Sequence, residues 1–416
     1  MTSPQPTRAH NSQFSNNLPV RHRAGKVWRL VFQAATLVGI IVLTALLLNI
    51  LDGAFGYVAY EARVDPTSLA VDGVPLDDLP KAALVEILRQ NLSSGAFNKL
   101  DNEIPFSERS WADVYDLVIE RIVRYDVVES WTLWKSLTQS AAIRGQAIEE
   151  YPEAELRFVS WMTADFVRRP QSSEAVNAGV RTAILGSLLT ILITILVAFP
   201  LGVGSAIYLE EYTSDNWLNR LIQTNINNLA GVPSIIYGIL GLAIFVRALA
   251  LLTSGALFRA TDLTTANGRT VLSAGLTLAL LVLPLIIINA QEAIRAVPQS
   301  LRRASLGLGA TKWQTVWSHV LPNAMPGILT GTILAVSRAI GETAPLIVIG
   351  ASTAISFDPD LFSRFTTLPI QIYQWTARPQ AEWRHLAAAA ILILLILLFS
   401  LNASAIVLRN RFTKRF

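Results

Sequence analysis

Long apolar runs dominate the chain and predict helices that cross a lipid bilayer. A membrane-spanning helix needs roughly 20 mostly apolar residues. Runs of that length lie near residues 30–51, 183–208, 228–250, 270–290, 324–350 and 386–408. The pattern therefore predicts an all-α integral membrane protein with six transmembrane helices.

The stretch between the first two runs is polar and differs in charge from the rest of the chain. Residues 52–178 hold 21 of the 30 acidic residues and 12 of the 34 basic ones, a net charge of −9, which leaves +13 for the remainder. Helix-start signals recur in it, because Asp77 precedes Pro80 and Ser110 with Asp113 forms a capping-box pattern. We expect a small acidic helical domain that acts as a partner contact or a spacer.

Lysine and arginine near the ends of the apolar runs predict the orientation. The basic residues that precede the first run are Arg21, Arg23, Lys26 and Arg29, and those that follow the last run are Arg409, Arg411, Lys414 and Arg415. Both termini should therefore be cytoplasmic and residues 52–178 extracytoplasmic. The short loop 209–227 does not support this assignment, because Glu210, Glu211 and Asp215 oppose one Arg220.

These boundaries predict four parts. They are a disordered cytoplasmic N-terminus (1–28), a first transmembrane helix (29–51), the acidic insertion (52–178) and a membrane domain (179–416) with a cytoplasmic loop at 291–323.

Composition excludes several kinds of chemistry. Charged residues make up 15% of the chain, against about 25% in a typical soluble domain. The chain has no cysteine, and its four histidines are scattered without the spacing of metal ligands. No GxxxxGK[ST] pattern is present, so we expect neither ATP binding nor enzymatic activity of the chain itself.

The loop 291–323 predicts a helix, a turn and a second helix. Pro298 suits the first turn of a helix, Gly309 its left-handed end, and Thr311 the cap of the next helix, which we expect Pro322 to end. The apolar stripe of the first helix comprises Val297, Leu301, Ala304 and Leu308, and the positions off the stripe are Arg302, Arg303 and Ser305. Such a pair of helices could dock into a groove of another protein or lie on the lipid surface.

Two charges interrupt the fifth apolar run. Arg338 and Glu342 are four residues apart and share a helix face, flanked by Gly341 and Pro345. A charge at the bilayer centre costs at least about 2.5–3.5 kcal/mol, so the pair should face protein or a wet cavity. The arginine could contact a passing anion, the pair could form a gate, or it could only lock the helix bundle.

A second irregular point lies in the third run, at Gly231-Val232-Pro233-Ser234. Pro233 frees a backbone carbonyl, and Ser234 or Tyr237 could offer hydrogen bonds to a substrate. A plain helix kink explains the pattern equally well.

Several of these motifs resemble a known family. Arg303-Ala304-Ser305, Gly309 and Leu321-Pro322 are similar in spacing to the "EAA" loop of ABC importer permeases, although Arg303 replaces the usual glutamate and His319 the usual aliphatic residue. The stretches 225–246, SRAIGETAPLIVIG (337–350) and LPIQIYQWT (368–376) resemble phosphate importer permeases of the PstA type.

This resemblance implies a type I ABC permease core in a bacterial cytoplasmic membrane. It implies a second homologous permease chain, two ATP-binding subunits that hold the ATP, and an extracytoplasmic phosphate-binding protein as partners. Leu301, Arg302, Arg303, Ala304, Ser305, Gly309, Leu321 and Pro322 would form the ATPase-coupling loop. Arg338, Glu342, Thr343, Pro345, Ser234 and Tyr237 are the candidates for the translocation path or gate of the phosphate ion.

Three rival hypotheses remain open. The chain could be a permease for another oxyanion, such as molybdate or sulfate. It could be a membrane-anchored sensor whose outer domain does the work, or a channel that needs no ATP. We expect no cofactor, metal or nucleic acid to bind the chain.

Overall fold

The first helix is longer than its apolar run. A computed structural model describes residues 18–71, 73–259, 268–351 and 358–412. The chain forms two compact units, with the boundary after Ile50. Helix α1 (Leu18–Ala54) begins well before residue 29, so residues 18–28 are helical rather than disordered. Pro19 lies in the first turn, where proline is tolerated. The predicted disorder of residues 1–17 lies outside the described residues.

A three-stranded antiparallel sheet follows α1 directly. Its strands are β1 (Phe55–Ala62), β2 (Tyr125–Ser130) and β3 (Glu155–Ser160), with β1 in the middle. Phe55 pairs with Ser160 at one end of the sheet, and Ala62 pairs with Tyr125 at the other. The segment predicted as helical is therefore mixed, and the apolar-polar alternation of these short strands is too weak to stand out in the sequence.

Short helices complete the insertion. They are α2 (Lys81–Asn91), α3 (Ser94–Glu103), α4 (Trp111–Val118), α5 (Leu133–Thr138), α6 (Ser140–Glu150) and α7 (Ala164–Arg168). The predicted capping box of α4 is present, since Ser110 and Asp113 each bond the backbone of the other. Residues 76–123, here called the lobe, enclose a hydrophobic core of their own around Leu84, Leu88 and Val114.

The remaining helices form the membrane domain. They are α8 (Arg181–Ile207), α9 (Trp217–Ala230), α10 (Ser234–Gly241), α11 (Ala250–Thr253), α12 (Val271–Arg295), α13 (Gln299–Gly307), α14 (Lys312–Thr315), α15 (Leu321–Ile340), α16 (Ala344–Ile349), α17 (Leu368–Thr376) and α18 (Ala381–Phe412). Turns of π-helix at Tyr208–Tyr212, Leu242–Ala248 and Val316–Val320 extend α8 and α10 and join α14 to α15.

Five of these helical segments are long and apolar enough to cross a membrane, and a bent pair makes a sixth candidate. The five are Arg21–Ala54, Arg181–Tyr212, Val271–Arg295, Lys312–Ile340 and Ala381–Arg411. The pair is Trp217–Ala230 with Ser234–Ala248, which meet at an angle of 106°. The six predicted spans thus correspond to described elements, but the third is broken rather than straight.

The core of the membrane domain lies where α8 crosses α12. Glycine permits the close approach, because a Cβ on Gly275 would lie 2.6 Å from the Ile193 side chain. Thr194 adds a hydrogen bond from its hydroxyl to the Gly275 carbonyl, at 3.1 Å. Helices α10 and α15 also pack against α12, which brings the candidate residues of both irregular segments to one bundle.

Candidate functional site

Arg338 and Glu342 lie at a helix break, not inside a continuous helix. Arg338 is in the last turn of α15, Gly341 caps that helix, and Glu342 precedes α16. The Arg338 Nε and Glu342 Oε1 atoms are 3.5 Å apart. A cation at a helix C-terminus and an anion before a helix N-terminus are both stabilised by the helix dipoles. The span predicted over 324–350 therefore ends earlier, at Ile340, and the break that follows it stabilises both charges.

The third span breaks between α9 and α10. Tyr237 is buried in α10, and its hydroxyl donates to the Leu229 carbonyl at 2.7 Å. Leu229 belongs to the last turn of α9, and its carbonyl also accepts the Val232 amide at 3.0 Å. The Tyr237 hydroxyl thus holds the 106° bend closed. Ser234 is the first residue of α10 and is half-buried.

The two breaks meet. A Cβ on Gly238 would lie 2.7 Å from the Pro345 Cα atom, so α10 and α16 are in backbone contact. Tyr237 directly precedes Gly238, and Arg338 and Glu342 lie shortly before Pro345 in the chain. The structure therefore brings Tyr237, Arg338, Glu342 and Pro345 to one place, with Thr343 in the connection that carries them.

The charged pair is accessible from one side. The Arg338 side chain is 48% exposed and that of Glu342 is 19% exposed. An intramembrane charge needs protein or water around it rather than lipid. The preceding residue, Ser337, donates its hydroxyl to Asn402 Oδ1 of α18 at 2.7 Å, which fixes the inner side of the same helix. The exposed side of Arg338 is thus left uncovered by the described residues of this chain.

The loop between α12 and α15 has the predicted helix, turn and helix. Pro298 caps α13, Gly309 has a φ of +85°, and Thr311 forms a capping box with Gln314 at the start of α14. Pro322 does not end the second helix, because α14 continues through a π-helical turn into α15. Proline is tolerated there since it lies in the first turn of α15, directly after that irregular turn.

The apolar stripe predicted for α13 is only half buried, since Val297 is buried and Leu301 packs against the hydrophobic core. Arg302 and Ser305 are buried, whereas Ala304 is exposed and Leu308 is 90% exposed. The Ser305 hydroxyl bonds the Thr315 hydroxyl at 2.9 Å and ties α13 to α14. The described face of α13 therefore buries the first part of the stripe together with two polar side chains, and leaves Ala304 and Leu308 on the surface.

Arg302 has partners that spacing alone could not reveal. Its Nη2 and Nε atoms donate to Glu211 Oε1 at 2.8 and 3.0 Å. Its nitrogens also donate to the carbonyls of Val297 at 2.5 Å and Ile294 at 2.8 Å, at the end of α12. The sequence of the loop 209–227 did indicate an ion pair. Glu210 and Glu211 lie where lysine and arginine are expected on the cytoplasmic side, so they need basic partners from elsewhere in the chain.

Glu210 pairs in the same way with Arg295, at 2.5 Å between Oε1 and Nη2. Both glutamates of the acidic loop are thus neutralised by arginines at the end of α12 and in α13. The two loops consequently lie on the same side of the membrane domain, as the alternation of spans requires.

The outer surface of this loop combines a charge with apolar side chains. Arg303 is exposed beside Leu306 and Leu308. Trp313 and Trp317 are also exposed and stack on each other with ring centroids 5.5 Å apart. Large aromatic side chains on a surface are typical of contact sites for another protein.

Over the described residues, no group of three histidine or acidic side chains could hold a metal ion. The arrangement is suited to binding a charge weakly and to moving helices against one another.

Comparisons with known proteins assign the membrane domain. The family model of the binding-protein-dependent transport system inner membrane component matches residues 198–416. The probable ABC transporter permease protein YqgI of Bacillus subtilis is 31% identical over 260 residues, covering 59% of this chain and 83% of that protein. The phosphate transport system permease protein PstA 1 of Mycobacterium tuberculosis is 34% identical over 243 residues, covering 58% and 74%.

Among solved structures, a bacterial alginate ABC transporter in complex with its pentasaccharide-bound periplasmic protein is similar at 17% identity and a TM-score of 0.46. The match covers 74% of this chain and 99% of that one. The family match contains every candidate residue of both irregular segments and of the loop 291–323, whereas residues 52–178 lie outside it.

Proposed function

The chain belongs to the family of binding-protein-dependent transport system inner membrane components, and from this premise we propose that it is the permease subunit of an ATP-driven importer of inorganic phosphate. Its likeness to PstA-type permeases supports phosphate as the substrate. The observation that carries the proposal is the Arg338–Glu342 pair, held at a helix break with one open side.

The pair suits transient contact with an anion. An isolated arginine would hold phosphate tightly, whereas a glutamate 3.5 Å away competes for the same guanidinium. Passage requires binding that is favourable enough to admit the ion and weak enough to release it. In the proposed cycle, phosphate displaces Glu342 from Arg338, and the pair re-forms once the ion has moved on.

The open side of Arg338 is the proposed contact with a homologous second permease chain, so that the ion passes between the two. An extracytoplasmic binding protein would deliver phosphate. Both termini would then be cytoplasmic, with the insertion outside.

The free energy comes from two partner ATPase subunits in this proposal. Their docking site would be the exposed face of α13 with Trp313 and Trp317. An arginine at position 303 favours an acidic patch on the ATPase. Movement there reaches the substrate site through the continuous helix Lys312–Ile340.

Reconstitution tests the proposal. The chain, the second permease and the ATPase are placed in vesicles, and uptake of labelled phosphate is measured with the binding protein outside. We expect uptake that requires ATP and that excess sulfate or molybdate does not inhibit. Uptake without ATP would indicate a channel, preference for another oxyanion would refute the substrate, and no uptake would leave the sensor hypothesis.

The first prediction concerns Arg338→Gln in that assay. We expect a loss of phosphate uptake of at least tenfold, with the complex still assembled, since the anion contact is gone. Arg220→Gln is the matched control, because Arg220 is exposed and its ion pair with Asp215 lies at the surface. Normal uptake by Arg338→Gln would remove the residue from the path, and loss of assembly would show that the pair is a lock.

A further inference from the structure

Helix α5 of the insertion turns its apolar side chains outward. Trp134 is 69% exposed and Leu137 is 67% exposed, and their spacing of three residues places them on one face. Between them Ser136 is buried, where its hydroxyl accepts the Tyr57 amide at 2.9 Å and donates to the Thr132 carbonyl at 2.8 Å. The helix is thus fixed to β1 with its apolar face open.

This face lies at the height where the first span ends. The Trp134 amide donates to Asp52 Oδ1 at 2.5 Å, and Asp52 is in the last turn of α1. The Trp131 amide donates to the Tyr57 carbonyl, so the chain enters α5 from the same end of β1. That end of the sheet follows directly from the span Arg21–Ala54.

The beginning of the last span lies at the same end of the sheet. The Trp161 amide donates to the Ala54 carbonyl at 3.0 Å, and its ring stacks on His385 at 5.6 Å. His385 lies in the second turn of α18 and contacts the Gly53 carbonyl through Nδ1, at 2.6 Å. Tryptophan is enriched at the boundary between lipid and water, and Trp375 and Trp383 pack near this point as well.

We propose that α5 is an interfacial anchor, which inserts Trp134 and Leu137 into the lipid headgroup region beside the spans. Lys135, exposed between them, would meet lipid phosphates. The indole suits this place because it has an apolar body and one polar N–H. This role is independent of the transported substrate.

Charge explains why such an anchor is needed. The insertion carries a net charge of −9 and is repelled by anionic lipids, so a general electrostatic attraction cannot hold it to the membrane. Two apolar side chains and one lysine would supply a local attraction instead. The anchor would keep the membrane end of the sheet in a fixed position over the spans.

The lobe provides an internal control. Strand β1 is eight residues long and spans about 25 Å, which separates its membrane end from the lobe at its far end. Ile104 lies in the lobe and is an exposed apolar residue, at 49%. It matches Leu137 in size and polarity, but nothing places it at the lipid boundary.

Because the chain has no cysteine, a single introduced cysteine can be spin-labelled without other changes. The full chain is labelled at Trp134→Cys, Leu137→Cys or Ile104→Cys and placed in vesicles of phosphatidylethanolamine and phosphatidylglycerol. Collisions of each label with oxygen, which dissolves in lipid, and with a water-soluble nickel chelate are compared. Thr138→Cys keeps Trp134 and Leu137 unchanged. It is therefore the labelled variant in which folding should be least affected.

We expect the ratio of oxygen to chelate collisions to be several-fold higher at positions 134, 137 and 138 than at 104. Equal ratios at all positions would overturn the proposal. A high ratio that appears only after the phosphate-binding protein is added would also overturn it, since the face would then be a protein docking site.

Discussion

Arg302 joins three elements through one side chain. It bonds Glu211 beyond α8 and two carbonyls at the end of α12 while belonging to α13. Both charged side chains are almost fully buried. Removal of one partner of a buried, hydrogen-bonded ion pair typically costs about 3–5 kcal/mol, because the other charge is left without compensation.

The variant Arg302→Ala should therefore unfold at a clearly lower temperature in detergent. Arg303→Ala is the matched control, since the neighbouring arginine is exposed and its loss should have an effect within about 0.5 kcal/mol. The double variant Arg302→Met/Glu211→Leu should recover part of the loss. Equal stability of Arg302→Ala and Arg303→Ala would contradict this account.

Tyr115 of the lobe links stability to pH. Burial, followed by its 2.6 Å hydrogen bond to Asp77, raises the pKa of the phenol from 10.0 to about 12. The folded chain therefore keeps this proton more firmly than the unfolded chain. The resulting stabilisation is complete below pH 10 and is lost as the pH rises from about 10 to about 12.

A tyrosinate difference spectrum between the chain and its Tyr115→Phe variant measures this titration. We expect the difference in tyrosinate absorbance to develop at a higher pH than the one at which ordinary tyrosines ionise. Asp77→Asn, which removes the charged acceptor, should shift it to lower pH. A difference that is complete by pH 10 would refute the prediction.

At this scale the sequence identified the right residues but not all their contacts. The capping boxes at Ser110 and Thr311 were predictable, because each is set by residues three apart. The burial of Arg302 was not, because its partner lies 91 residues away along the chain. Spacing describes one helix and contains no information about the element beneath it.

At the scale of elements, the contact between α10 and α16 depends on one glycine. Gly238 leaves room for the Pro345 backbone, and a Cβ there would approach the Pro345 Cα atom to 2.7 Å and the carbonyl oxygen to 2.9 Å. Backbone cannot move aside as a flexible side chain can. Overpacking of this kind typically costs about 1–3 kcal/mol.

We predict that Gly238→Ala lowers the thermal stability and separates the two helix breaks, with reduced uptake in the transport assay. Gly204→Ala is the matched control in α8, where an added Cβ meets nothing within 4 Å and the change should be neutral or slightly stabilising. Unchanged stability of Gly238→Ala would show that α10 and α16 can shift freely.

Glycine and proline mark both breaks, at 231–234 and at 341–345, and the sequence identified both places as irregular points. They did not predict the angle of 106° or that the breaks adjoin. Those features depend on packing between helices far apart in the chain. The prediction that Pro322 ends the second helix was also wrong. A π-helical turn precedes it, so the proline lies in a first turn and the helix continues.

At the scale of the whole molecule, the lobe is built as a separable part. It has its own hydrophobic core, and the chain enters and leaves it through adjacent strand ends. The Arg63 amide bonds the Arg124 carbonyl at 3.1 Å, and the Val64 amide bonds the Val123 carbonyl at 3.2 Å.

Replacement of residues 65–122 by Asn-Gly should close β1 and β2 into a hairpin. We expect the shortened chain to insert into membranes and to keep the thermal transition of the membrane domain, measured in detergent. An aggregated product would show that the lobe supports the rest of the fold.

The six spans were predictable because length and apolarity act locally. The sheet was not, since its three short strands are separated by whole helices and pair only in the folded chain. The acidic charge of residues 52–178 indicated a distinct part, but charge does not distinguish helix from strand.

The continuous helix from Lys312 to Ile340 has a mechanical consequence. Its 29 residues make a rod of about 44 Å, with the stacked tryptophans at one end and Arg338 at the other. A tilt of about 5° about the tryptophan end displaces the far end by about 4 Å, which exceeds the length of a hydrogen bond. In the proposed transport cycle the helix would act as a lever, and a small rotation at one end would be enough to change which groups the guanidinium can reach at the other.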